Sequence, residues 1–429
     1  MDILHGLWKD VLKIGDELKE DLDNLHEIVA LRFETGLGQP KLLRPLFHHL
    51  REHHPILILP HFAVVSRYDD VVDVLMRQEI FTVSEIYLDK MIETTGPFVL
   101  GLQEGPQYDL EMGQMRTAVH PEDLDTIRAN GLRDAEELVN AARPSGSLDL
   151  VGGLTRVVPA RLVANYFGTP GPDQNILMRW MRSIFRHIFL NLGNDGNVKE
   201  AADNSSKELH AYLEQLVADR KQAISSGATV PDDFVTRLIR LQLDGPDGPD
   251  DDTIRRLVGG TIVGAVDTIS KAVAQAVDVL LDRPAELAAA HAAAVAGDDE
   301  LVSRYVFEAL RFNPQNPFLL RHCREDYVVA AGTDREKKIP AGSLVLVGTL
   351  SAMFDEKSVY QPEEFRVDRQ QDTSLFFGHG LHTCFGQHIS RVLIPLIAQS
   401  ALRLPNLRRD GHIQWDGAFP NKLMVKFDS

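Results

Sequence analysis

Cys384 carries the most chemical potential of any residue in this chain. It sits in Phe377-Gly-His-Gly-Leu-His-Thr-Cys-Phe-Gly386, where Gly378, Gly380 and Gly386 surround one thiol. Glycines let the backbone turn sharply and bring its N–H groups close to a sulfur. A helix-like run, Gln387–Leu402, follows directly. A helix N-terminus and inward N–H groups favour a thiolate over a thiol. Such a sulfur serves as a nucleophile, with His379 or His382 as base, or as a metal ligand. The plainer alternative is a buried structural cysteine in a Gly-rich turn.

Two other groupings have spacing that chemistry could use. Gly264-Ala-Val-Asp-Thr268 lies midway along Asp252–Leu281, which reads as one long helix spanning ~45 Å. Apolar residues fall on nearly all its sides, as in a central buried helix. An acid beside an alcohol is costly there unless used or well paired. The Thr268 hydroxyl can reach the Gly264 carbonyl four residues back and open the helix locally. A proton path and a purely structural polar kink both fit this pattern. Glu308-Ala-Leu-Arg311 places an acid and an arginine on one helical face, where they can pair. Taken alone, that pair reads as a solvated surface contact.

The string Phe377–Gly386 resembles the haem-binding loop of the cytochrome P450 family: Phe, Gly, any, Gly, any, His, any, Cys, any, Gly, with every fixed position matched. The resemblance implies a mainly α fold with a small β region, forming a single domain over residues 1–429. It implies non-covalent haem b with Cys384 as the axial thiolate, which in this family pushes electron density toward the O–O bond. Phe377 would pack by the sulfur, Gly378 and Gly386 would shape the loop around the cofactor, and His382 would reach a haem propionate. Arg321, ending Asn316-Pro-Phe-Leu-Leu-Arg321, would hold a propionate too. Asp267 and Thr268 match the family's acid–alcohol pair, which relays protons for O–O cleavage, a general-acid task. Glu308 and Arg311 would be buried and joined by a third member from the meander Pro362–Arg369, Arg366 or Arg369, with Arg366 preferred. One stretch departs from the family pattern. Tyr108 and Met112 stand where a propionate-side histidine and arginine are usual, so Tyr108 could donate one hydrogen bond to a propionate but no charge.

Pocket positions carried over by the resemblance are Ala265, Ile269, Phe318 and Leu319, with Phe419 and the segments 81–102 and 175–197 nearby. They are largely apolar, which points to a hydrophobic small-molecule substrate. Arg179, Arg182 and Arg186 share one helix face; a solvated face is the favoured reading, and a clamp for a substrate carboxylate the sharper one. Only 45 residues follow Cys384, too few for a flavin or iron–sulfur module. Electrons are therefore expected from a separate ferredoxin and ferredoxin reductase, with His388 and Arg391 on the docking face. The expected reaction is insertion of one oxygen atom from dioxygen. An electron-independent isomerase, dehydratase or peroxygenase acting on lipid (hydro)peroxides is the alternative, and a haem-binding sensor without turnover is a third reading.

The elements that must position these groups follow from patterning. Pro55–Leu59 and Phe62–Ser66 read as strands around a Pro60-His61 turn. Helical periodicity dominates Tyr68–Phe312, broken at residues 143–147, 168–172 and 245–252. These breaks are short and lack linker composition, so they connect helices rather than domains. Strand-like runs return at Tyr327–Ala331, Ser343–Val347 and Lys422–Phe427. Residues 1–22 read as an acidic amphipathic helix, not a signal peptide. With 44% hydrophobic and 25% charged residues the chain is globular in composition. A net charge of −17 argues against nucleic-acid and anionic-membrane binding. Two cysteines make a disulfide scaffold implausible and a reducing cytoplasm the natural home. No apolar run approaches the roughly 20 residues of a membrane span, so no transmembrane anchor is expected.

Overall fold

A computed structural model describes residues 40–369 and 373–428; the helix expected over residues 1–22 lies outside them. The strands begin where turn chemistry allows. Pro60 and His61, the latter at a left-handed φ of 60°, join β1 (Ile56–Leu59) to β2 (Phe62–Val65), with Ile56 opposite Val65. The other strands are β3 (Phe81–Thr82), β4 (Ser147–Asp149), β5 (Leu319–Cys323), β6 (Tyr327–Val329), β7 (Lys337–Ile339), β8 (Leu344–Val347), β9 (Arg408–Arg409), β10 (Gln414–Asp416), β11 (Phe419–Lys422) and β12 (Met424–Lys426). The largest sheet has the order β1-β2-β8-β5-β3. Within it β2 and β8 run parallel, and antiparallel pairing of β5 with β8 sets Arg321 opposite Val345. The break expected at residues 143–147 gives way to β4, which pairs with β12 near the chain's end.

Helices make up most of the rest. Those that position the site are α1 (Ser84–Glu93), α2 (Pro106–Ala118), α3 (Asp123–Ala142), α4 (Gln174–Phe185), α5 (Gly196–Ser225), α6 (Asp251–Val263), α7 (Val266–Leu281), α8 (Asp299–Phe312) and α9 (Gln387–Leu402). Several start on an aspartate that satisfies otherwise unpaired N–H groups: Asp173 for α4, Asp250 for α6 and Asp298 for α8. Among the described residues nearly all the buried apolar side chains form one continuous cluster. Helices α7, α8 and α9 pack on one another, and α9 also lies along α3. A Cβ at Gly131 would come 2.7 Å from Leu393 Cδ2, so the close approach of α3 and α9 depends on that glycine.

The single helix expected over Asp252–Leu281 is instead two, α6 and α7, interrupted at Gly264 and Ala265. All residues of α7 except Thr268 and Leu281 are buried. Asp251–Leu281 is in fact long and apolar enough to cross a membrane by composition, contrary to the reading that no run approaches that length. Its most apolar window is 72% buried inside the protein, as expected of a core helix.

Candidate active site

The cysteine loop is shaped by contacts its sequence makes necessary. Gly380 has φ +74°, and a Cβ there would lie 2.6 Å from the Leu75 carbonyl oxygen, so only glycine fits without movement. The Cys384 N–H donates to the Phe377 carbonyl at 2.8 Å and closes the loop, and α9 begins three residues later. Cys384 presents accessible surface although it lies deep in the fold, because that surface opens on an internal cavity. Burial pushes its thiol pKa up, and the Gly386 N–H opposes the shift. Phe377 lies under the guanidinium of Arg391, which sits 5.1 Å from its ring centre and 5.8 Å from that of Phe307. Arg391 therefore covers Phe377 of the loop and Phe307 of α8, while His388, one turn before it, is exposed.

The cavity measures about 320 Å³ and is mostly apolar. Ala265, Ile269, Phe318 and Leu319 line it, as do Gly264, Thr268, Phe377, Gly378, Gly386 and Cys384. Its size falls within the range of roughly 300–1,000 Å³ usual for small-molecule pockets. Residues of α1 and of the turn after α4 contribute more wall, among them Met91, Ile188 and Phe189. Phe419 does not line the cavity; it packs behind Phe185, which does.

At the interrupted helix the Thr268 hydroxyl donates to the Gly264 carbonyl. The backbone there is opened as its sequence predicted. Asp267 is adjacent in sequence but does not line the cavity. Its carboxylate accepts from Arg182 Nε at 3.0 Å and Arg182 Nη2 at 2.5 Å, with Arg156 at 3.6 Å. Arg182 reaches on to Asp416 at 3.1 Å, and Arg179 pairs with Glu208 at 2.6 Å. None of Arg179, Arg182 and Arg186 lines the cavity. The substrate-clamp reading thus loses its geometric basis. The solvated-face reading fails for Arg182 as well, since its charge is used on a buried carboxylate.

Glu308 and Arg311 are both buried and doubly bonded, at 2.7 and 2.9 Å. The third member is Arg369, whose Nε donates to Glu308 at 3.1 Å. Arg366 was preferred from the sequence, yet its side chain turns outward to Asp368 and only its backbone N–H reaches Glu308, at 2.8 Å. A buried carboxylate with two guanidiniums and one amide is fully paired.

Whether these residues suit haem can be tested on unpaired polar atoms. Arg321 Nε and both ring nitrogens of His382 are buried without a hydrogen-bond partner. Burial, with Arg321 beside it, lowers the His382 pKa to about 4, and burial lowers that of Arg321 to about 10. Buried donors without partners are rare in native proteins and invite an anionic group. A thiol facing the same cavity suits an iron ligand, and a bound cation would favour its thiolate. The residues fit haem, with Cys384 as ligand and Arg321 and His382 toward its carboxylates. Tyr108 does not fit as expected: its hydroxyl donates to the Leu381 carbonyl at 3.0 Å, so that bond braces the cysteine loop.

The family model for cytochrome P450 matches residues 174–404, more than half the chain and including both Thr268 and Cys384. The chain belongs to the cytochrome P450 family. Among curated P450s it is similar to the cyclomarin C epoxidase of Salinispora arenicola, with 27% identity over 80% of this chain and 84% of that one. It is also similar to the pulcherriminic acid synthase of Bacillus subtilis, at 23% over 89% and 94%. Among solved structures it superposes on CalO2 with a TM-score of 0.78 at 22% identity, covering 89% of this chain and 95% of that one. The fold is thus the P450 fold: mainly helical with small sheets.

Arg156, Arg182 and Asp416 were missed from the sequence as partners of the Asp267 region. Arg182 lies 85 residues from Asp267, and no local spacing signals the contact. Arg369 was visible as one of two arginines in the meander, and the choice between them needed three-dimensional placement.

Proposed function

We propose that this P450 inserts one oxygen atom from dioxygen into a hydrophobic small organic molecule. Electrons would come from a separate ferredoxin and ferredoxin reductase, in the cytoplasm, with the whole chain acting as a single domain. The observation that carries the reading is one apolar cavity lined by both the Cys384 sulfur and the Thr268 hydroxyl. Bound through Cys384, haem b supplies oxygen activation, and the thiolate promotes O–O cleavage. Ala265, Ile269, Phe318 and Leu319 exclude water and orient an apolar substrate. Thr268 holds its proton on the Gly264 carbonyl, leaving its oxygen free to accept a hydrogen bond in the cavity. Asp267 stands one residue away, held by Arg182 and Arg156. To pass a proton to Thr268, its carboxylate must turn from Arg182 toward the cavity.

The test is coupling efficiency, as product formed per NAD(P)H consumed. Thr268→Ala should still bind substrate and consume dioxygen, with a lower product yield and hydrogen peroxide released instead. Unchanged coupling would remove the proton-handling role. Turnover of a lipid hydroperoxide with no reductant would favour the electron-independent alternative.

A further inference from the structure

The cavity wall contains a polar corner in which the family resemblance accounts for Arg321 and His382 but not for Tyr87. Strand β3 pairs with β5 so that Phe81 faces Cys323 and Thr82 faces His322, the residue after Arg321. Helix α1 starts two residues beyond β3 and packs against β5. Tyr87 stands in its first turns and lines the same cavity as Arg321 and His382. Its ring packs on Phe189, with the ring centres 5.3 Å apart. Among the described residues that hydroxyl makes no hydrogen bond, and Arg321 acts on it electrostatically as it does on His382. Burial pushes the phenol pKa up to about 12, so it remains an O–H donor across the working pH range.

Arg321 Nε and the His382 ring thus face the cavity with no protein partner, and Tyr87 lines the same cavity. On α2, the Tyr108 hydroxyl is already used on the Leu381 carbonyl, and Met112 brings no donor to the cavity. The corner around Arg321 is where an anion gains most. We propose that Tyr87 completes an anion-binding corner with Arg321 and His382, donating a hydrogen bond to a haem carboxylate. This rests on the reading of the cavity as a haem site. Tyr87 would add a neutral donor, without replacing the charge missing where Tyr108 and Met112 stand.

The experiment follows haem loss from the ferric holoprotein to excess apomyoglobin. Tyr87→Phe keeps the ring and its packing on Phe189, so the fold should be unaffected. Its haem should leave roughly tenfold faster, the size of a lost hydrogen bond to a charged group. Both proteins are then reconstituted with haem dimethyl ester, which lacks the carboxylate charge. The difference between them should shrink to about twofold or less, because the ester carbonyl accepts only a weaker, uncharged hydrogen bond. Equal haem-loss rates with ordinary haem, or the same tenfold ratio with the ester, would overturn the proposal. A parent protein whose reduced carbon monoxide complex lacks the thiolate band would instead fault the haem site on which it rests.

Discussion

Glu308 and Asp267 are both buried carboxylates held by two arginines, yet their surroundings differ. Glu308 takes Arg311 from its own helix, Arg369 from the meander and the Arg366 amide, away from the main cavity. Asp267 takes Arg182 from α4 and Arg156 from before the helix Val157–Asn165, and the residue after it faces the cavity. Arg182 also has an exposed carboxylate, Asp416, to which it can give more of its charge. Glu308 has all its partners in one structural network, as a role in the fold requires. Asp267 shares its partner Arg182 with Asp416, which is what the proposed turn of its carboxylate toward Thr268 would draw on. Burial with two guanidiniums does not by itself separate a structural acid from a working one; we propose that here the neighbours of the partners do.

The largest expected effect is on stability. Glu308→Ala leaves Arg311 and Arg369 facing an unpaired site, at a cost of about 3–5 kcal/mol. Poor expression or loss of haem is the expected outcome, read by denaturant unfolding and haem content. A well-folded variant with full haem content would erase the contrast between the two carboxylates. Asp267→Asn should behave in the opposite way. It should fold and bind haem, while turnover slows by about 10²-fold, within the range for lost acid–base help. Steady-state rates beside a thermal melt separate these outcomes, and a large loss of stability with normal turnover would place Asp267 with Glu308. The smallest effect sharpens the comparison inside the Glu308 network. Arg366→Ala should change stability by no more than about 0.5 kcal/mol, since only its backbone touches Glu308. Arg369→Ala should cost several times more; equal costs would mean that the two arginines share the role.

What was legible in the sequence follows the range of each interaction. The cysteine loop could be read because ten consecutive residues carry it, and its glycines have local steric causes. The opening at Gly264 could be read because the Thr268 hydroxyl reaches only four residues back. It was nonetheless underestimated: the backbone breaks into two helices rather than bending within one. That Glu308 and Arg311 can pair was legible at three residues' separation, but spacing alone read the pair as a surface contact, and only the family resemblance implied its burial. Arg366 was taken over Arg369 because both fit the meander, and a chain that donates through its backbone looks the same in sequence as one that donates through its side chain. Tyr108 was expected to face a carboxylate, and its actual acceptor, Leu381, lies 273 residues away. The arginine face of α4 was read as solvent or substrate because nothing local marks Asp267 as its partner.

The central claim is that the Cys384 sulfur, at the floor of an apolar cavity, is the iron ligand. The most direct measurement is the absorption of the reduced protein with carbon monoxide. The parent should show the long-wavelength band that gives cytochrome P450s their number, because a thiolate donates charge to the metal. Cys384→Ser should lose it, while Cys323→Ser should keep it, since the Cys323 thiol is buried against the Glu325 carbonyl and its pKa is pushed up to about 11. Loss of the band in Cys323→Ser with its retention in Cys384→Ser would contradict the account.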